Sequence, residues 1–245
     1  MTDLTLVALD GIPEVRAGDD LAGHIRAALE AARIGLQAGD VLVVTQKVVS
    51  KAEGRVVELA SVEPSAFARD WAERWEKDAR QVELVLRESA SIVRMADGGL
   101  IISRTRHGLV CANAGVDLSN VGDGEVATLL PVDPDASATR LSQALGVPVI
   151  ISDSFGRPWR NGIVNVAIGV SGLEPLLDLR GHPDAGGREM QSTVIAVADE
   201  LASAADLAGG KTSQRPVVLV RGYAIAAGAG SAAELVMERE RDLFP

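Results

Sequence analysis

Val41-Leu42-Val43-Val44-Thr45-Gln46-Lys47-Val48-Val49-Ser50-Lys51 decides the class of this chain. Its first four residues are an unbroken apolar run, which predicts a short strand covered on both faces by other elements. Such a strand delivers Thr45, Gln46 and Lys47 to its carboxyl end, where α/β folds gather their ligands. If a helix continues the chain, Lys47 and Lys51 lie four residues apart on one face beside that edge. Judged on this segment alone, the pair is either a phosphate-binding site or a solvated lysine face.

Working outward, Leu4 to Leu9 reads as a first strand, and Asp19-Asp20 caps a helix carrying Leu21, Ile25, Ala28, Leu29 and Ala32 at helical spacing. Gly39-Asp40 ends that unit. A helical stretch from Pro64 to Lys77 carries Trp71 and Trp75 at i and i+4, a packing stripe. Leu100-Ile101-Ile102 and Leu109-Val110-Cys111 flank a polar turn and predict a hairpin. Asp133 before Pro134 is an N-cap followed by a first-turn proline, opening a helix that runs through Leu145 to Gly146. Val147 to Ile151 is a strand that presents Asp153. Residues 160 to 181 are punctuated by glycine and carry no clear period, whereas Glu189 to Leu207 reads as one long helix. Pro216 to Val220 gives a late strand. The expected architecture is α+β, with mixed sheets and packed helices in a single unit spanning 1 to 245, or in two subdomains with no readable boundary.

A chain of 245 residues with 47% hydrophobic residues has enough apolar side chains for one large core or two small ones. Aromatics are only 3%, which argues against a base-stacking surface. With 34 acidic against 24 basic residues and a net charge of -10, a general nucleic-acid or anionic-membrane binder is disfavoured. An anionic ligand therefore needs local help from cations. The single cysteine, Cys111, lies in an apolar run, which excludes an internal disulfide or a cysteine-rich zinc site and makes buried filler its expected role. No run approaches the ~20 apolar residues of a membrane span and the first residues do not form a leader, so the expected setting is soluble and cytoplasmic.

Two further segments carry chemistry. Ala114-Gly115-Val116-Asp117-Leu118-Ser119-Asn120 and Ile151-Ser152-Asp153-Ser154-Phe155-Gly156-Arg157 each set an aspartate at the end of an apolar run, beside a small polar residue. Brought together, they offer carboxylates and hydroxyls to a hard divalent ion; taken singly, each aspartate equally suits an Asx-turn. Arg157 and Arg160 follow closely and either hold a carboxylate or phosphate or fix their own loop. Ala205 to Thr212 imitates a phosphate loop and Gly228 to Ala233 a dinucleotide fingerprint, but neither sits between a strand and a helix as its chemistry requires. Gly209-Gly210-Lys211 is better read as a helix stop with a cation at the negative end of the dipole. His24, His107 and His182 are dispersed and form no acyl-transfer constellation.

In this order, Ile12-Pro13-Glu14-Val15, Thr45 to Arg55, Ala112 to Val121, Leu129 to Ala138, Ser152 to Gly162, Val197 to Lys211 and Pro216 to Gly222 resemble the coenzyme F-420 gamma-glutamyl ligases. The resemblance spans nearly the whole chain. It implies the α+β fold of those ligases, an intertwined homodimer with the site near the subunit interface, and the free-standing ligase form. It also implies a GTP-dependent enzyme that joins L-glutamate to the lactyl carboxylate of a deazaflavin coenzyme precursor, either once or with further gamma-linked glutamates. The other readings are a diverged amide ligase with another acceptor and a non-catalytic deazaflavin-binding protein. Carried over by motif, Asp117 and Asp153 are catalytic metal ligands for magnesium or manganese, and Ser154 offers oxygen to a second ion. Ile12, Pro13, Glu14, Val15, Gln46, Lys51 and Asn120 hold GTP, and a monovalent cation is a further expected cofactor. The chain departs from the family's pattern at Gln46, where serine is expected, at Ser154, where threonine is frequent, and at Asn165, where aspartate is expected.

Overall fold

The structure is a computed structural model that describes residues 3–118 and 125–242. Its strands are β1 (Thr5–Ala8), β2 (Val41–Thr45), β3 (Val56–Glu58), β4 (Ser89–Met95), β5 (Ile101–Thr105), β6 (Val110–Ala112), β7 (Val126–Thr128), β8 (Val149–Arg157), β9 (Arg160–Ser171), β10 (Leu177–Asp178), β11 (Val194–Ile195) and β12 (Val217–Arg221). Its helices are α1 (Leu21–Ala31), α2 (Gln46–Ala52), α3 (Ala66–Trp75), α4 (Ala79–Glu88), α5 (Pro134–Leu145) and α6 (Val197–Gly209).

A five-stranded sheet in the order β1-β12-β2-β8-β9 forms the centre, with β2 and β8 parallel and every other pair antiparallel. The apolar run of β2 is buried on both faces, as its sequence predicts. Leu42 and Val44 pack with Ile25 and Leu29 of α1 and Leu141 of α5, whereas Val41 and Val43 pack with Leu201 and Ala205 of α6. Period-two alternation therefore assigns each residue of β2 to one of two helical layers. A third cluster lies beside the sheet, where Ala68, Ala72, Val82 and Val85 of α3 and α4 meet Ile101, Val116, Ala127 and Leu129. It carries the three-stranded sheet β4-β5-β6 and the two-stranded sheet β3-β7. The protein is thus a mixed α+β structure.

Local chemistry explains most element ends. Asp20 caps α1 by accepting the Gly23 amide at 2.9 Å, and Asp133 caps α5 by accepting the Ala136 amide at 2.9 Å, with Pro134 in the first turn. Gly146 ends α5 in the left-handed region. Trp71 and Trp75 pack with ring centroids 5.9 Å apart, and β5 and β6 form the expected hairpin. The long helix expected from Glu189 starts only at Val197. Glu189 instead bridges Pro183, and the β-branched Val194 and Ile195 form β11 against β10. Asp199 and Glu200 in the first turn mark the true start. The stretch from 160 to 181, without a clear period in sequence, holds the twelve-residue β9. Among the described residues no helix is long and apolar enough to cross a membrane.

Candidate functional site

A cleft of about 790 Å³ opens at the carboxyl ends of the parallel pair β2 and β8, where Thr45 lies opposite Ser152. Ile12 to Val15 form one wall; Thr45 to Val48 and Lys51 line the start of α2; Asp117, Ser152, Asp153, Ser154 and Asn165 complete the floor. The remaining wall comes from Asp206, Gly210, Lys211, Thr212, Gln214, Arg215 and Pro216. Most of the residues singled out in sequence are therefore gathered in one place. Asn120 lies outside the described residues. Arg157 and Arg160 are not part of the cleft lining, and Arg157 Nη2 instead donates to the Asn161 carbonyl at 3.0 Å, fixing its own loop.

Asp153 owes its position to β8. The register of β8 against β9 shifts between Ile151, opposite Gly169, and Ser152, opposite Ala167. The extra residue, Ile168, belongs to β9, so this bulge bends β9 where it runs alongside Ser152 and Asp153 at the cleft. Burial raises the Asp153 carboxyl to about 6, and the charge of Asp117 adds to the rise; the Ser154 amide, the charge of Lys211 and the Gln46 side chain act in the opposite direction. Buried Gln46 is itself oriented, because Ser50 Oγ donates to its Oε1 at 2.8 Å and leaves its amide hydrogens for Asp153.

Asp117 arrives from the third cluster. It is held by a backbone bridge to Thr128, with amide–carbonyl bonds of 3.0 and 2.8 Å, at the end of β7. Its Oδ2 lies 2.7 Å from Lys47 Nζ. One turn further along α2, Lys51 Nζ lies 2.5 Å from Glu14 Oε1 on the opposite wall. The helical continuation predicted for this segment thus aims both lysines into the cleft. Ser154 and Asn165 face each other across β8 and β9, so that Ser154 Oγ donates to Asn165 Oδ1 at 2.7 Å and accepts from Lys211 Nζ at 2.9 Å.

Lys211 is the site residue missed in sequence. Gly210 does cap α6, and the chain then runs into β12 without opening a helix, which confirms the rejection of a phosphate loop. However, β12 is antiparallel to β2 with Val217 opposite Val44, so its start lies at the edge where β2 ends. Only that pairing reveals that Lys211 reaches the cleft. The second rejected motif runs into a short 3-10 turn at Ala232–Leu235 closed by a capping box. Cys111 is buried filler as expected, its thiol pushed up to about 12 by burial and then by the charge of Asp153. Among the described residues Ser152 Oγ is buried without a hydrogen-bond partner. Among the described residues no three His, Cys, Asp or Glu side chains form a ready-made metal cluster.

This α+β protein thus gathers two carboxylates, Asp117 and Asp153, and three lysines, Lys47, Lys51 and Lys211, in one cleft at the ends of its parallel strands. A family profile described as F420-0:Gamma-glutamyl ligase matches residues 11–222, and the chain belongs to this family. It is 46% identical to the Coenzyme F420:L-glutamate ligase of Methanothermobacter thermautotrophicus over 250 aligned positions, covering 98% of each chain. It is 47% identical to the protein of that name from Methanopyrus kandleri over 91% of this chain and 89% of the relative. The Natronomonas pharaonis protein, also so named, is 43% identical over 96% and 92% respectively.

Proposed function

We propose that this protein is a GTP-dependent ligase that joins L-glutamate to the lactyl carboxylate of the deazaflavin coenzyme F-420 precursor. The observation that carries the reading is the convergence of Asp117 and Asp153 with Lys47, Lys51 and Lys211 in one cleft, in a chain of this family. A carboxylate is a poor electrophile at neutral pH, so amide formation needs an activated acyl group. In the proposed reaction a lactyl carboxylate oxygen attacks the γ-phosphorus of GTP, the bond to the bridging oxygen breaks toward GDP, and an acyl phosphate results. The glutamate amine then attacks the acyl carbon, phosphate leaves with the bonding electron pair, and the amine loses its proton.

The donor set fits magnesium or manganese. Two carboxylates in one cleft, the charge of Asp117 helping to raise the Asp153 carboxyl, with the Ser154 hydroxyl beside them, suit an ion that keeps water and substrate phosphate in its shell. Asp117, Asp153 and Ser154 would hold it. Bound there, it supplies charge neutralisation for the polyphosphate. The chain's own residues do the positioning: Ser50 and Gln46 fix Asp153, and the lysines at the cleft supply counter-charge for the phosphates. Ile12 to Val15 line the nucleotide side in this reading. An intertwined homodimer in the cytoplasm completes the proposal. It is supported by the tip of the β8–β9 hairpin, where Trp159 is 80% and Ile163 57% exposed.

Mass spectrometry of protein incubated with the unglutamylated deazaflavin, L-glutamate, GTP and manganese tests the reading. A metal-dependent gain of glutamyl units with GDP release is expected. Absence of product despite bound GTP and precursor would refute it and favour another acceptor.

A further inference from the structure

We infer that the Lys211 ammonium is a built-in substitute for the second divalent ion expected on Ser154, so that the cleft takes one divalent ion and the lysine supplies further counter-charge to the nucleotide phosphates. The inference rests on the metal and nucleotide reading given above and fixes how many ions that reading needs. Lys211 Nζ lies 2.9 Å from Ser154 Oγ, the hydroxyl oxygen expected to serve the second ion. An ammonium can only donate, so Ser154 Oγ accepts, and its one hydrogen goes to Asn165 Oδ1 at 2.7 Å. The hydroxyl then keeps a single lone pair, enough for the one ion held with Asp117 and Asp153. A second ion would need an anionic ligand of its own, and it would stand against the ammonium as a like charge. Asn165 is neutral, and Asp199 of α6 is committed to the Ala167 amide at 2.8 Å. Asp206 also lines this wall, but among the described residues it joins no group of three acidic, histidine or cysteine side chains.

The same helix sets both ends of this chain of contacts. Ser213 Oγ donates to the Gly209 and Gly210 carbonyls, which ties the segment carrying Lys211 to the end of α6. Nearer the start of α6, Ser203 Oγ donates to the Asn165 carbonyl at 2.7 Å, while Asp199 holds the Ala167 amide two residues along β9. Lys211 and Asn165 are thus both anchored to α6, and Ser154 bridges them. A lysine placed this way carries its charge into the cleft at any metal concentration, as a compact ammonium suited to phosphate oxygens. Nucleotide affinity should therefore stop rising once the first ion is bound.

Equilibrium dialysis against manganese and GDP, with bound manganese counted per chain, tests this in wild type, Lys211→Gln and the double variant Lys211→Gln/Asn165→Asp, with thermal unfolding as the check on folding. Wild type should hold one manganese per chain at saturation. Lys211→Gln should bind GDP about tenfold more weakly, the loss expected for one charge-assisted phosphate contact. The double variant exchanges the ammonium for a neutral amide and supplies an anionic ligand beside Ser154. It should hold two manganese ions per chain, and rising manganese should restore its GDP affinity. A lysine that served only to pack its loop would produce neither the second ion nor that recovery. Two ions per chain in wild type overturn the proposal, whether or not the variants fold. A single ion in the folded double variant, or unchanged GDP affinity in Lys211→Gln, also overturns it. Failure of wild type to bind any manganese in the presence of GDP overturns the metal reading itself, and the substitute role with it.

Discussion

Arg221 grips Asp40 through two hydrogen bonds of 2.7 Å, one from Nε and one from Nη2. Asp40 closes the turn ahead of β2 and its side chain is 1% exposed; Arg221 ends β12, the neighbouring strand. The carboxylate also accepts the Gln37 amide at 2.8 Å, and the guanidinium donates to the Gly35 carbonyl at 2.8 Å. Burial alone pushes the Asp40 carboxyl upward, but the bonds from Arg221 and Gln37, with the charge of Arg221, outweigh it and leave the pKa below its ordinary 3.8.

A carboxyl whose folded pKa is depressed stabilises the protein above its unfolded value, and that contribution is lost as pH falls through the lower, folded value. The window here lies below 3.8. Replacing Arg221 by Met strands the buried carboxylate and should cost roughly 2–4 kcal/mol at pH 7. Urea unfolding at pH 7 and pH 3 checks this: the gap between wild type and Arg221→Met should narrow at pH 3, where a protonated Asp40 no longer needs its partner. A gap that stays constant with pH would show that the guanidinium acts only by packing.

Gly169 stands beside the bulge in β9, and a Cβ built there would lie 2.4 Å from the Pro134 carbonyl oxygen. The first turn of α5 packs directly onto β9 because this position lacks a side chain. Gly169→Ala must push α5 and β9 apart, an overpacking cost of about 1–3 kcal/mol. The expected result is a lower melting temperature together with weaker GDP binding, since β8 carries Asp153 and pairs with β9. A melting temperature equal to wild type would show that α5 shifts without cost.

The fold was legible where pattern and capping agree. The doubly covered strand β2, the Asp20 and Asp133 caps and the Gly146 stop all express a local rule within a few residues. The β9 strand was hidden because Gly162 and Gly169 interrupt its period, and Gly169 is there for helix packing rather than for a turn. In the site, Asp117, Asp153, Lys47 and Lys51 stood out because each follows or opens an apolar segment. Lys211 did not, because its place depends on the antiparallel pairing of β12 with β2, a contact between segments about 175 residues apart that local periodicity does not encode. Gln46 was legible as a cleft residue, but its hold on Asp153 depends on Ser50, whose role only the built helix reveals.

Asp153 poses a conflict between stability and function that a single substitution resolves in a measurable direction. Its carboxyl is raised to about 6 in the folded protein, first by burial, against an ordinary value of 3.8. The folded state therefore holds the proton more tightly than the unfolded state does. The resulting destabilisation is absent below 3.8, grows as pH rises, and is complete above about 6. Asp153→Asn keeps an acceptor for the Gln46 side chain but carries no charge. In metal-free protein at pH 7.5 the variant should be more stable by about 1–3 kcal/mol, as a shift of this size implies at about 1.4 kcal/mol per pH unit. The gain should shrink toward pH 4, and glutamyl transfer should be lost at every pH. Calorimetry in the presence of chelator at the two pH values, paired with the mass-spectrometric assay, measures both. A variant that is less stable at pH 7.5 contradicts the burial argument, and one that retains turnover contradicts the assignment of Asp153 to the reaction.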